Sequence, residues 1–365
     1  MYYNEKNSLR ASEKAVISMD RNTLREKLSA YCEENHIFGV LRVTHRDQIV
    51  WQQSFGYADI RTKEPFDSTS MFSFYSLSKP FCAIGLLLLK DRGLVDLDTH
   101  PGVYVPEAAA FDSRVTIRHM LHHLSGLPDF GLIADFAVMH GGYDHRRVHE
   151  KLAALAAYPQ LFAPGEAAQY ANINILLCAL IIEAVTGRPY ADYMQDEVFA
   201  PLGMKTALVD HAGRQVEHRV SGHELTDGVP VPVSAAYDWM LGAGDIIGTV
   251  DDVYCLNRAI KHRLLLSPAT WAEALTPSPL NQMGMGCTVT AWHGKHRITH
   301  NGGHKGFRTL HIQLPEEDFD IILLSNSGYG DARAALSEMV YEAFFGADGA
   351  YSDTVAMDIG YIPQV

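Results

Sequence analysis

The chain has 365 residues, 47% hydrophobic and 20% charged, an ordinary globular composition with enough apolar content for one large or two modest domains. Lys and Arg number 30 against 43 Asp and Glu, a net charge of −13 with no basic block, which argues against a nucleic-acid partner. The longest apolar runs, 81–89 and 175–182, are too short to span a bilayer, so no membrane association is expected.

Residues 1–21 read as a polar tail. They hold no apolar core and no small-residue cleavage site, so no signal peptide is expected and a cytoplasmic location fits. Residues 22–35 form an amphipathic helix with Leu24, Leu28 and Tyr31 at helical spacing. Two β-rich runs, 38–45 and 49–57, flank the turn-like Arg46-Asp47-Gln48 and predict a hairpin. A loop at 64–67 leads to Ser76-Leu77-Ser78-Lys79 and the apolar helix that follows it. From 93 to about 240 the chain reads as mainly helical with long loops. Helices are expected at 115–124, 145–158, 174–186 and 190–199, the third closed by Gly187. After the return at Gly242-Ala243-Gly244-Asp245 comes a helix at 251–261. Strands are expected at 284–292, 296–300, 306–314 and 319–325, then a last helix at 332–345 and a tail at 347–365.

Strands first, helices in the middle and strands last predict an α+β fold. The N-terminal hairpin would join the C-terminal antiparallel strands in one sheet. That gives an α/β lobe from 22–75 and 241–346 and a helical lobe from 76–240, with a site between them.

The chemistry centres on Ser76 and Lys79. Pro80 lacks an N–H, so it belongs in a first helical turn and marks where the helix begins. Residues three apart share a helix face, and helical side chains lean toward the N-terminus, so the Lys79 amine can fold back onto the Ser76 hydroxyl. A serine is a weak nucleophile until a base takes its proton. The helix N-terminus adds a positive end that favours developing negative charge. The structural alternative is that Ser76 merely starts a helix.

A second cluster, Gln169-Tyr170-Ala171-Asn172, precedes the 174–186 helix. Tyr170 is either an interface aromatic with a satisfied hydroxyl or a phenol whose pKa is lowered by a nearby ammonium and which shuttles protons. A third, His300-Asn301-Gly302-Gly303-His304-Lys305-Gly306-Phe307, joins two strands. Its glycines allow close backbone approach, and an N–H there can pair with that of Ser76 as an oxyanion hole.

In order, Ser-x-x-Lys, Tyr-x-Asn and His-x-Gly resemble the penicillin-recognising serine hydrolases, in the branch of class C β-lactamases, serine D-peptidases and family VIII esterases. The resemblance runs from about residue 38 to 345. It includes Phe55-Gly56-Tyr57-Ala58-Asp59, Leu124-Ser125-Gly126-Leu127-Pro128, Pro164-Gly165-Glu166 and Gly242-Ala243-Gly244. It implies a β-lactamase/transpeptidase-like fold and a cofactor-free hydrolase of ester or amide carbonyls, or an acyltransferase. By the same resemblance Ser76 is the acylated nucleophile, Lys79 and Tyr170 the proton-transfer pair, and Asn172 a substrate-amide contact. Gly302 matches the glycine of Lys-Thr-Gly, and Gly303 supplies an oxyanion N–H.

His300 stands where many members have a lysine. It replaces a permanent cation by a titratable one, so weak β-lactam turnover, favoured at lower pH, is expected beside a preference for small esters or amides. The alternatives are a class C-type β-lactamase, a D-amino-acid peptidase, and a non-catalytic acyl-binding sensor. His119, His122, His123, His145 and His149 invite a metal site. No His-Glu-x-x-His occurs, however, and solvated or satisfied histidines are the expectation, with no metal. The five widely spaced cysteines read as reduced core thiols. Oligomeric state is not legible.

Overall fold

A computed structural model describes residues 19–130, 145–211, 214–233, 240–346 and 349–355, the side chains of 145–147 excepted. Most of the 1–21 tail, and residues 347–348 and 356–365 of the C-terminal tail, lie outside the described residues.

Helix α1 (Arg21–Glu34) starts where Asp20 accepts the Thr23 N–H at 2.9 Å, and it buries Leu24, Leu28 and Cys32 along one stripe. Strands β1 (Gly39–His45) and β2 (Gln48–Phe55) form the expected hairpin. Arg46 and Asp47 both have positive φ, 52° and 59°, as the tight turn of a twisted hairpin requires. A short strand β3 (Phe72–Ser73) leads through a 3₁₀ turn at Tyr75–Ser78 into α2 (Lys79–Asp91). Then follow α3 (Ile117–Leu121), α4 (His145–Leu155), α5 (Asn172–Thr186) and α6 (Tyr190–Met194), the last continued by a π turn at Gln195–Phe199. Strands β4 (Leu208–Val209), β5 (His223–Thr226), β6 (Val229–Pro232) and β7 (Ile246–Gly248) precede α7 (Val250–His262) and α8 (Pro268–Ala274). The chain ends in β8 (Thr288–Trp292), β9 (Lys295–His304), β10 (Phe307–Leu314), β11 (Phe319–Ser325) and α9 (Arg333–Phe345).

Six strands form one antiparallel sheet in the order β2-β1-β11-β10-β9-β8, so the N-terminal hairpin does join the C-terminal strands. Side chains alternate across a sheet, and β11 lies at its centre with all seven residues buried. Ile321 and Leu323 face α1 and α9 in a core with Leu28, Trp51 and Val340. Ile322 and Leu324 face the helical body. The described part of the C-terminal tail closes the first layer: Tyr351 stacks on His45 at 3.7 Å and Val355 is fully buried. In the helical body α2 and α5 are apolar on every side, burying eleven and ten residues, and Gly187 ends α5 at φ 65°.

The structure differs from the sequence expectation in several places. Strands β4, β5 and β6 interrupt the supposedly helical 93–240 region. Helix α8 was not anticipated, although Ser267 caps it through the Thr270 N–H and Pro268 fills its first turn. Helix α5 begins at Asn172 rather than 174, and β9 continues through the glycines to His304. The small sheet β3-β7-β4 ties the segment before Ser76 to the 242–245 turn.

Candidate active site

The 3₁₀ turn that carries Ser76 is clamped from both sides. Phe74 donates its N–H to the Ile246 carbonyl at 2.9 Å, and the Ser78 hydroxyl accepts the Ile246 N–H at 3.0 Å. On the opposite side Thr309 donates its hydroxyl to the Phe74 carbonyl at 2.8 Å. Gly302 lies so close that a Cβ would fall 2.0 Å from that carbonyl oxygen. Tyr75, the residue before Ser76, holds φ 49°, a left-handed conformation rare for an aromatic residue. Its hydroxyl donates to the Lys305 carbonyl at 3.2 Å, which fixes the β9–β10 turn over the site.

Lys79 is wholly buried. Its Nζ lies 2.9 Å from Ser76 Oγ, 2.9 Å from Asn172 Oδ1 and 2.6 Å from the Ala243 carbonyl oxygen. An ammonium has three protons, and these are three acceptors. Burial pulls the Lys79 pKa down to about 7, against the opposing pull of Asp129 and Asp245. In its neutral form the amine keeps two donations and turns its lone pair to the Ser76 hydroxyl.

Tyr170 completes the constellation. Its hydroxyl is close enough to Ser76 for Ser76 to act on its pKa, and its ring lies 4.9 Å from Lys79 Nζ. The ring stacks on His123 at 4.4 Å and is 44% exposed to the cleft. The expectation of a lowered phenol pKa is corrected here. Enclosure pushes it above its ordinary range, Ser76 opposes that, and the charge on Asp129 adds to the rise. His123, buried beneath, accepts the Ala171 N–H on Nδ1 at 3.1 Å, and burial holds it neutral, far below its usual range.

Asn172 sits at the start of α5 with both ends of its amide engaged. Oδ1 accepts from Lys79, and Nδ2 donates to Asp129 Oδ2 at 3.2 Å. Asp129 also accepts the Ile173 N–H at 3.1 Å, capping the helix. The Asn172 amide thus bridges Lys79 and Asp129. Asp129 and the Ala243 carbonyl were missed. A lone aspartate after Ser-Gly-Leu-Pro has no spacing signal, and a backbone carbonyl has no sequence signature.

His300 also departs from expectation. It is 6% exposed and gives its Nδ1–H to the Asn301 carbonyl at 2.7 Å. Burial and the nearby Lys79 lower its pKa to about 3, so it is neutral across the physiological range and is no titratable grip near pH 6. Its ring stands 6.4 Å from that of Tyr170. Ser76, Tyr170 and Gly303 open together onto a cleft of about 870 Å³ whose far wall carries Glu224, Lys305, Arg308 and Arg333. Arg333 is held by Asp331 in a two-pronged pair at 2.7 and 2.5 Å and donates to the Gly302 carbonyl at 2.8 Å.

Among the described residues, no group of three His, Cys, Asp or Glu is placed to hold a metal ion, and all five cysteines are buried free thiols. No single helix among them is long and apolar enough to cross a membrane.

Comparison with known proteins sets this geometry in context. The chain is 28% identical over 331 residues to Penicillin-binding protein 4* of Bacillus subtilis, covering 84% of this chain and 72% of that one. It is 25% identical to a D-aminopeptidase of Gluconobacter oxydans, covering 79% of this chain but only 55% of that protein. The fold matches the D-amino acid amidase of Ochrobactrum anthropi complexed with L-phenylalanine at a TM-score of 0.75, with 24% identity, over 88% of this chain and 98% of that one. The beta-lactamase family model matches residues 24–342. With that match covering the whole sheet, the helical body and the cleft between them, the chain belongs to the beta-lactamase family of serine hydrolases.

Proposed function

We propose that this chain opens an ester or amide carbonyl through an acyl-enzyme on Ser76. The observation that supports this most directly is the buried Lys79 amine 2.9 Å from the Ser76 hydroxyl, with a pKa near neutrality. A general base works best when its pKa lies near the working pH. Ser76 Oγ attacks the carbonyl carbon as its proton passes to Lys79. The oxyanion rests on the N–H groups of Ser76 and Gly303, two residues that share the cleft. Loss of one such donor typically costs about 100- to 1000-fold in rate. The proton returns to the leaving group through Tyr170, whose high pKa suits a group that stays protonated and relays. Water, or another nucleophile, then attacks the ester on Ser76 and restores the free hydroxyl.

The substrate is a small ester, a small amide or a short peptide. Within that range a substrate bearing an α-amine is the second reading. Glu224 brings a carboxylate to the cleft wall, and one of its oxygens already accepts the Gly306 N–H at 2.8 Å. The relatives named D-aminopeptidase and D-amino acid amidase make D-amino-acid amides the natural probes.

The test is labelling with a fluorophosphonate probe, followed by mass spectrometry after incubation with p-nitrophenyl esters, D-amino-acid amides and a cephalosporin. Wild type should carry the label on Ser76, and Ser76→Ala should lose both label and turnover. Full labelling of Ser76→Ala refutes the assignment. Stable acylation without turnover of any donor would instead identify a sensor.

A further inference from the structure

Tyr170 sits outside any helix or strand, in the segment that leads into α5, so no main-chain repeat holds it over Ser76. Its loop hangs instead on the 123–126 segment that follows α3. Gly165 donates its N–H to the Leu124 carbonyl at 2.9 Å, and Leu161 donates to the Gly126 carbonyl at 2.9 Å. Both neighbours of Tyr170 are tied to one residue: the Gln169 N–H goes to the His123 carbonyl at 3.1 Å, and the Ala171 N–H to His123 Nδ1 at 3.1 Å. The tyrosine ring lies on the His123 ring, 4.4 Å between centroids and 20° between planes. His123 is 1% exposed and holds φ 56°, a left-handed conformation that histidine and asparagine adopt more readily than most residues. A main-chain N–H can only donate, so Nδ1 carries the lone pair and the ring proton is on Nε2. That Nε2 is buried with no hydrogen-bonded partner among the described residues. An unpaired buried donor is destabilising, and phenylalanine in the same stack would avoid it. Phenylalanine would leave the Ala171 N–H without its acceptor, however, and asparagine would supply an acceptor without the stack. Histidine supplies both.

We propose that His123 is a positioning residue for the reaction: its ring face and its Nδ1 together aim the Tyr170 hydroxyl at the oxygen of the departing group. This rests on the reading of Tyr170 as the proton relay. A tilt of the phenol toward His123 has to open the stack, and a slide along the chain has to break the Ala171 hydrogen bond. In acylation the bond from Ser76 Oγ to the carbonyl carbon forms and the bond from that carbon to the leaving group breaks. The proton given up by Ser76 reaches the leaving oxygen through Tyr170. A displaced hydroxyl therefore slows the reaction only where the leaving group needs that proton. p-Nitrophenolate departs as the anion, whereas an alkoxide must be protonated as its bond to carbon breaks. A disturbance passed on through Ala171 and Asn172 to Lys79 would instead slow every substrate, because each needs the Ser76 proton removed.

The experiment measures kcat/KM for p-nitrophenyl butyrate and ethyl butyrate in wild type, His123→Asn, Tyr170→Phe and the double variant. Asparagine suits φ 56° and offers Ala171 an amide oxygen, so the change removes the stack. His123→Asn should lose about 10- to 100-fold on the ethyl ester and only a few-fold on the p-nitrophenyl ester, the scale expected when a catalytic group is misplaced for one of the two. In the Tyr170→Phe background the same change should cost no more than about twofold, because the hydroxyl it aims is gone. Equal losses on the two esters, or losses that multiply in the double variant, would show a role in the fold or at Lys79 and overturn the proposal. If His123→Asn does not fold, His123→Phe keeps the stacked face and leaves the Ala171 N–H without an acceptor, and its two losses are read the same way. Full ethyl-ester activity in Tyr170→Phe would sink the relay itself. A slowed Tyr170→Phe beside equal losses in the His123 variants rejects the role of His123 alone.

Discussion

Lys79 Nζ and Ser76 Oγ lie 2.9 Å apart, and the three hydrogen-bond partners of that amine are a hydroxyl, an amide oxygen and a main-chain carbonyl, none of them charged. The buried amine is therefore held by neutral dipoles, and burial lowers its pKa to about 7. A depressed lysine is the neutral base above that value and the inert ammonium below it. kcat/KM should rise as pH increases through about 7 and level off above it. Lys79→Ala should lose at least about 100-fold across the whole range. A flat profile between about pH 6 and pH 8 would assign the proton transfer to another group.

Tyr170 tests the relay. Tyr170→Phe removes only the hydroxyl that reaches Ser76, and it leaves the stack on His123 and the ring beside Lys79 in place. The melting temperature should change little, while kcat falls about 100-fold or more. Near-normal turnover would return Tyr170 to the role of a packing aromatic.

The two glycines of β9 should respond differently. A Cβ on Gly302 would fall 2.0 Å from the Phe74 carbonyl oxygen and 2.4 Å from Thr309 Oγ1, both parts of the clamp on the Ser76 turn. Gly302→Ala should lower both the melting temperature and kcat. A Cβ on Gly303 meets only the flexible Arg308 side chain, at 3.1 Å from its Cδ. Gly303→Ala should fold normally, and its loss should appear in KM or kcat. Equal melting temperatures for wild type and Gly302→Ala would show that strand and turn are not locked together.

His300 gives a prediction about pH. Because burial keeps it neutral down to about 3, it cannot gain charge between about pH 6 and pH 8. The ratio of kcat/KM for a chromogenic cephalosporin to that for a p-nitrophenyl ester should be flat over that interval. A ratio several-fold higher at the acid end would show a protonated His300 gripping the carboxylate after all. His300→Lys should lower the melting temperature, since it places a second amine in a buried site next to Lys79.

Much of this was legible in the residues themselves. Ser76, Lys79 and Pro80 are local: a proline and a three-residue spacing suffice to bring an amine onto a hydroxyl. The hairpin, the C-terminal strands and their common sheet followed from alternation and turn residues. The electrostatics were not legible. Whether Tyr170 and His300 are shifted up or down depends on what encloses them, and the enclosing atoms come from segments far away in sequence. The same holds for Asp129, Ala243 and Asp245, which matter only because the fold carries them to Lys79. The short strands β4 to β6 carry too few residues for a period to show.

The pairing of β1 with β11 joins Gly39 to Ser325. During synthesis the hairpin emerges well before the strand that pairs with it, since all the residues between Gly39 and Ser325 are made in the interval. At about 5–20 residues per second, β1 waits tens of seconds on the ribosome with a bare hydrogen-bonding edge. Contacts so distant in sequence also make folding slow once the chain is complete. Assembly of the cleft is late for the same reason, because Gly302 and Thr309 must arrive before the Ser76 turn can be clamped. A chain cut short before β11 would therefore carry β1 with one edge unpaired, the kind of edge that pairs with other chains.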